Sequence, residues 1–343
     1  MINVGILGIG RIAQDIHIPT IEKTEGLSLY SVCDSTPARL KYAHEHHTGV
    51  DLHEHIDAFL TDPQLEVVVV STPSSLHAEQ VCAALAAGKH VIVEKPMALT
   101  TGEAYKMIAA AESARKILTV YHNRRLDGDF MMVKSIVESG ALGDVLSIEG
   151  HITASGSPVG YAVQEFNTEW RIEKKWGGGA IYDWGSHLID QMLRLVPAPP
   201  VSVWADMRTA KWGTEVDDHS RLMIRFANGT LAEVEVTYCA CLNKPRWMVY
   251  GTRGSVRSAV DQNWTNMEVC VPAAGLDGVF HPAPVADAWD QYYKNLAAAV
   301  KGDEEIMVKP EEGALVVHII DSALKSAATG ETVKLEAFLP KKN

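Results

Sequence analysis

The chain is predicted to be an α/β protein in two parts: an N-terminal doubly wound parallel sheet, then a C-terminal α+β domain with a large, mainly antiparallel open sheet. Three observations carry this. Strand-like and helix-like segments alternate through residue 120, as a parallel sheet with crossover helices requires. From Val201 onward β-prone segments follow one another instead, with Asn228-Gly229 as a hairpin turn between two of them. The length of 343 residues exceeds what one ordinary core serves. The pattern changes at Tyr121, which divides the chain into 1–121 and 122–343.

The first strand, Asn3 to Leu7, runs into Gly8-Ile9-Gly10-Arg11-Ile12-Ala13 and then a helical pattern through Ile16 to Ile21. Gly8 permits the tight turn, Gly10 lets backbone N–H groups approach a pyrophosphate, and Ala13 allows close helix–strand packing. The next strand, Leu27 to Cys33, ends at Asp34, where a carboxylate accepts hydrogen bonds from the hydroxyls of an adenosine ribose. A dinucleotide cofactor is therefore expected. A carboxylate there repels a 2'-phosphate, and a helix over 38–46 would carry Arg39 away from the ribose unless the loop folds back, so NAD is expected ahead of NADP.

Alternation continues with helices around 38–46 and 56–60, strand 67–70, helix 75–87, a strand at Val91, helix 101–115 and strand 118–120. Thr72, Pro73 and His77 fall at a strand's carboxyl end, the edge where such sheets bind ligands. The apolar run Val91-Ile92-Val93 ends abruptly in Glu94-Lys95-Pro96, which sets Lys95 on that same edge. A cis Lys95-Pro96 peptide suits a strand end that turns a lysine toward a ligand, since cis costs an X-Pro bond only about 0.5–1 kcal/mol.

Beyond the boundary, a helix over 129–138 precedes a long strand, 145–154. Residues 155–179 are glycine-rich and aperiodic, and within them stands Trp170-Arg171. Gly177-Gly178-Gly179 then opens a helix in which Asp183 and His187, four apart, share one face beside an apolar stripe. Strands follow over 201–207, 219–226, 231–241, 247–251, 255–260 and 267–271; Cys239 and Cys241 would share a sheet face as packing residues. Aromatic spacing from Trp289 to Val300 is helical, and a last helix over 311–328 ends at Gly330.

Composition excludes several classes. A net charge of -12 without a Lys/Arg run argues against a nucleic-acid partner. Five scattered cysteines without a C-x-x-C pair argue against a disulfide framework or a zinc site and fit a reducing cytosol. His44, His46, His47, His53 and His55 crowd together but lack metal-ligand spacing and fall on a helix end and the loop after it, so no metal is expected. No signal segment fits before the first strand, and no apolar run reaches membrane-spanning length, so the cytoplasm is expected.

On Gly8-Ile9-Gly10-Arg11-Ile12-Ala13, Thr72-Pro73 with His77, Glu94-Lys95-Pro96, Asn123-Arg124-Arg125, and Gly178-Gly179 followed by Asp183 and His187, the chain resembles the Gfo/Idh/MocA oxidoreductases over essentially its whole length. The resemblance implies an N-terminal Rossmann domain and a C-terminal α/β domain whose open sheet mediates homodimers or homotetramers. It implies a pyridine-nucleotide dehydrogenase of sugars, inositols or related polyols, with Lys95, Asp183 and His187 as the catalytic set. It also implies that Asn123, Arg124, Trp170 and Arg171 stand near the nicotinamide, with Gly8, Gly10, Arg11, Ile12, Asp34, Thr72, Pro73, His77, Glu94 and Lys95 as the remaining cofactor positions.

The chemistry needs such a set. Oxidising a secondary alcohol requires a base for the hydroxyl proton, and a histidine, with an ordinary pKa near 6.5, suits that role at His187. Asp183 would hold the imidazole if it reaches it, and protonated Lys95 would stabilise a developing alkoxide. Two alternatives stand beside net oxidation or reduction: transient oxidation that permits elimination, hydrolysis or epimerisation, and a nucleotide-sensing protein without turnover.

Overall fold

The computed structural model describes residues 1–157, 169–260, 264–272 and 278–335. Residues 158–168, part of the aperiodic segment 155–179, lie outside the described residues.

The first sheet holds β1 (Ile2–Leu7), β2 (Leu27–Cys33), β3 (Asp51–His53), β4 (Val67–Val70), β5 (His90–Val93) and β6 (Leu118–Val120), all parallel, in the order β3-β2-β1-β4-β5-β6. The order reverses between β1 and β4, the crevice where open α/β sheets bind ligands. Every residue of β4 is fully buried, which is why this strand is a plain run of valines rather than an alternating pattern. α1 (Ile18–Lys23), α2 (Pro37–His46), α3 (Ile56–Leu60), α4 (His77–Ala86) and α5 (Thr101–Ala114) supply the crossovers. Thr100 caps α5: its hydroxyl accepts from Glu103 N while the Glu103 carboxylate accepts from Thr100 N, a reciprocal box worth about 1 kcal/mol. The sequence did not reveal β3, because a three-residue edge strand of Asp, Leu and His has no apolar pattern to read.

After α6 (Gly128–Glu138), the second sheet holds β7 (Val145–Thr153), β8 (Pro200–Arg208), β9 (His219–Phe226), β10 (Leu231–Thr237), β11 (Trp247–Gly251), β12 (Ser255–Ser258), β13 (Met267–Cys270), β14 (Val279–Phe280) and β15 (Val333–Lys334). Its order is β14-β13-β12-β11-β7-β10-β9-β8-β15, antiparallel except where β7 meets β10. Gly229, at φ 92°, makes the β9–β10 turn as the sequence indicated. β10 stops at Thr237 rather than reaching residue 241. Cys239 therefore lies outside the sheet, its thiol 3.6 Å from Asp218 Oδ1, and Cys241 is exposed.

α7 (Ser186–Leu195) and α9 (Pro310–Thr329) cover one face of this sheet, and α8 (Asp290–Lys301) returns to the first. Tyr292, Tyr293 and Leu296 of α8 belong to the core of the parallel sheet. α9 serves both cores: Ala314 and Val317 face the first, Val316, Ile319 and Ile320 the second. Each fully buried side chain of this size contributes about 1.5–3 kcal/mol, so α9 ties the two sheets firmly together. No helix among the described residues is long and apolar enough to cross a membrane.

Candidate active site

The glycine turn and the end of β2 form one wall of a groove. Gly8 adopts φ 93°, with Ser71 and Thr72 so close that a Cβ would meet them at 2.8–3.0 Å. A Cβ on Gly10 would point into open space, and both Gly10 and Ile12 line the groove, so the backbone here is bare toward a ligand. This is the cradle a pyrophosphate needs, and the residues fit a dinucleotide. The segment that follows the turn begins as a π-turn, Ala13–His17, before α1.

Asp34 stands where expected but is already engaged. Its Oδ2 accepts from Ile9 N at 2.8 Å and its Oδ1 from Thr36 N at 2.9 Å, so it holds the glycine turn and its own loop in place. Arg39 is not carried away: its Nη1 lies 3.3 Å from Asp34 Oδ2, and both side chains line the adenosine end of the groove with Ser35 and Thr36. Of the two reasons given above for placing NAD ahead of NADP, the distance of Arg39 is thereby overturned; α2 begins at Pro37, so its first turn brings Arg39 back to the end of β2.

Arg11, Ile12, Ser71, Thr72, Trp170 and Arg171 line both this groove and the adjoining cavity, so the two form one continuous channel. Pro73 faces the adenosine side, while His77, Glu94, Lys95, Asn123 and Arg124 face the inner cavity. His77 bridges two loops, Nδ1 at 2.9 Å from Pro96 O and Nε2 at 3.0 Å from Thr72 O. Glu94 turns inward: its carboxylate takes the His17 ring at 3.1 Å and its neighbour's N–H, Lys95 N, at 3.0 Å. His17 in turn reaches the Tyr293 hydroxyl at 2.7 Å, tying the end of β5 to α8.

Lys95 follows β5, and its peptide to Pro96 is cis, as expected. Its ammonium crosses the cavity to Asp183, 2.9 Å from Oδ1 and 3.0 Å from the backbone carbonyl. Asp183 lies in a second π-turn, Ile181–Gly185, that leads into α7; such insertions are frequent at functional sites. Gly178 has the Arg171 carbonyl so close that any side chain would collide with it, which docks the Trp170-Arg171 turn onto the start of this segment. Asp217 accepts from Ile181 N at 2.8 Å and fixes the same start from the sheet side.

The other Asp183 oxygen accepts from the Tyr238 hydroxyl at 3.2 Å. Burial alone would raise the Asp183 carboxyl, but Lys95 and Arg171 hold it well below the ordinary carboxylate range. Asp183 therefore does not orient His187, contrary to the reading from their spacing; its two oxygens serve Lys95 and Tyr238. His187 is 7% exposed, its Nδ1 has no hydrogen-bond partner among the described residues, and its ring packs edge-on against Trp184 and His122. Burial, followed by Lys95 and Arg124, pushes its pKa well below 6.5. The imidazole is neutral at neutral pH and lines the cavity with Lys95 and Asp183.

Arg124 stacks on Trp184 at 4.4 Å and bonds Asp127 at 3.1 Å. Arg125 clamps Asp190 of α7 with two bonds of 2.7 and 2.5 Å and reaches Glu312 of α9 at 2.7 Å, fixing the helix that carries His187. Tyr238 and Trp184 are cavity residues the linear order does not single out, since nothing local distinguishes a tyrosine just past a strand.

The family model for the oxidoreductase family, NAD-binding Rossmann fold, matches residues 2–122, and the GFO/IDH/MocA C-terminal domain matches residues 130–257. The chain is similar to scyllo-inositol 2-dehydrogenase (NADP(+)) IolW of Bacillus subtilis (strain 168), with 29% identity over 98% of this chain and 96% of that protein. Among solved structures it is similar to an NAD-binding protein from Listeria innocua, at 30% identity and TM-score 0.87 over 97% of this chain and 96% of that one. It is also similar to the WlbA dehydrogenase from Bordetella pertussis in complex with NADH and UDP-GlcNAcA, at 26% identity and TM-score 0.82 over 98% and 99%.

Proposed function

Because this chain belongs to the GFO/IDH/MocA oxidoreductase family and is thus an NAD(P)-dependent dehydrogenase, we propose that Lys95, Asp183 and His187 act on a secondary alcohol or ketone of a sugar or cyclic polyol. The observation that carries this is the ion pair of Lys95 and Asp183, 2.9 Å across the cavity at the inner end of the nucleotide channel, with neutral His187 on the same wall. Bound nucleotide supplies the redox partner. His187 takes the hydroxyl proton during oxidation and returns it during reduction. Lys95 donates to the reacting oxygen and lowers the cost of its negative charge. Asp183, itself bonded by the Tyr238 hydroxyl, fixes the ammonium of Lys95. The sugar or polyol class rests on relatives such as the scyllo-inositol dehydrogenase.

The rest of the reading is of a piece with this. The division at 121/122 separates a nucleotide-binding half from a substrate-binding half, and the uncovered face of the nine-stranded sheet joins copies into a homodimer or homotetramer. Negative charge and cysteine usage favour a cytoplasmic enzyme without nucleic-acid or membrane partners. A panel of polyols and sugars with both nucleotides, followed at 340 nm, tests the proposal: turnover with net absorbance change is expected. Product formation without net change would instead indicate transient oxidation, and tight nucleotide binding without any turnover would indicate a sensor.

A further inference from the structure

We propose that the outer face of the nine-stranded sheet carries a divalent-cation site formed by His151, Glu233 and Glu235. β7 and β10 run side by side in parallel, with Glu233 opposite Glu149 and Glu235 opposite His151, so alternation puts all four on one face. The neighbouring residue Gly150 faces Met192 and Leu188 of α7, so the cluster lies on the side of the sheet away from that helix.

The histidine is set up as a ligand. It is 3% exposed, and its Nδ1 lies 2.8 Å from the Pro245 carbonyl. A carbonyl only accepts, so Nδ1 carries a proton and Nε2 is the ring atom left to face the glutamates. A backbone carbonyl in that position is the usual device for orienting a metal-bound imidazole. Nε2 has no hydrogen-bond partner among the described residues and faces Glu149 Oε2 at 3.7 Å and Glu233 Oε1 at 3.9 Å. A buried ring nitrogen held against carboxylate oxygens needs a positive charge between them, a metal ion or a proton.

Charge points the same way. Arg221 pairs with Glu233 at 2.8 Å and Lys244 pairs with Glu235 Oε2, so among the described residues of one chain the three glutamates exceed the cations paired with them by one charge. One donor atom from each of His151, Glu233 and Glu235 lies within 4.8 Å of the others, and both glutamates are 9% exposed or less. A first-row divalent ion held by these atoms would take bonds of roughly 2.0–2.2 Å. One imidazole and two carboxylates suit Zn²⁺ or Mn²⁺ better than the all-oxygen ions Ca²⁺ and Mg²⁺.

The alternative occupant is a proton on Nε2, and the test separates the two. Metal-stripped full-length protein is titrated calorimetrically with Zn²⁺ and with Mn²⁺ near neutral pH. We expect one strong site per chain, weakened about tenfold or more by His151→Gln and by Glu235→Gln. His46→Gln with His47→Gln, in the surface histidine segment, is expected to leave that site unchanged. Should the sheet variants fail to fold, electron spin-echo modulation of Mn²⁺ in the wild-type protein is expected to show one coordinated imidazole nitrogen. Absence of a strong site, affinity unchanged in folded His151→Gln, or bound Mn²⁺ without imidazole coupling overturns the proposal and leaves a proton as the balancing charge.

Discussion

The Lys95 ammonium lies 2.9 Å from Asp183 Oδ1, so the carboxylate is committed across the cleft to the lysine rather than along its own segment to His187. Lys95→Met is therefore expected to lower kcat by about 10² to 10⁴ with nucleotide affinity nearly unchanged. Asp183→Asn should act through the same lysine, so the double variant should be little worse than Lys95→Met alone. Additive losses in that double-mutant cycle would show that Asp183 works independently of Lys95.

His187 sets the pH dependence. Its depressed pKa moves the acid limb for alcohol oxidation well below the ordinary histidine value, because burial and then the Lys95 and Arg124 charges disfavour the protonated ring. The profile of log kcat/KM for oxidation is expected to be flat through neutrality and to fall with unit slope only at lower pH. Reduction needs the protonated ring, so its kcat/KM should rise steadily on acidification through neutrality. A limb centred at pH 7 that survives in His187→Ala would assign the proton to another group.

Acid should weaken the fold through its buried histidines. Burial pulls His122 and His90 down to about 4 from the ordinary 6.5. Between those values the unfolded chain binds protons that the folded chain refuses, so stability is full above pH 6.5 and declines as pH falls toward 4. For fully buried His122 the loss is on the order of 3 kcal/mol. Urea midpoints measured across this range should fall, and fall less in His122→Leu; parallel curves for the two proteins would refute the assignment.

Asp34 and Arg39 should pull cofactor choice in opposite directions. Arg39→Ala is expected to weaken NADPH about tenfold more than NADH, because only NADPH offers a 2'-phosphate to the guanidinium. Asp34→Ala should weaken both, since Asp34 also accepts from Ile9 N in the glycine turn, while shifting the ratio toward NADPH. Fluorescence titration reads each affinity. An unchanged NADPH/NADH ratio in Arg39→Ala would remove Arg39 from the site.

The sequence alone determined the two sheets, the glycine turn, the cis bond before Pro96 and the placing of Lys95 at a strand's carboxyl end. These features are local: a valine run, a Gly-x-Gly turn or an Asn-Gly hairpin states its conformation within a few residues. Only the tertiary structure decided who touches whom. Lys95 and Asp183 are 88 residues apart, and Asp183 and Tyr238 are 55 apart, so no periodicity records their meeting. The i, i+4 spacing of Asp183 and His187 placed them on one face, but burial and charge gave Asp183 to Lys95, the stronger partner for a carboxylate in a low-dielectric cleft. Arg39 returned to Asp34 for the same reason: an ion pair is chosen by distance after folding, which separation along the chain does not express.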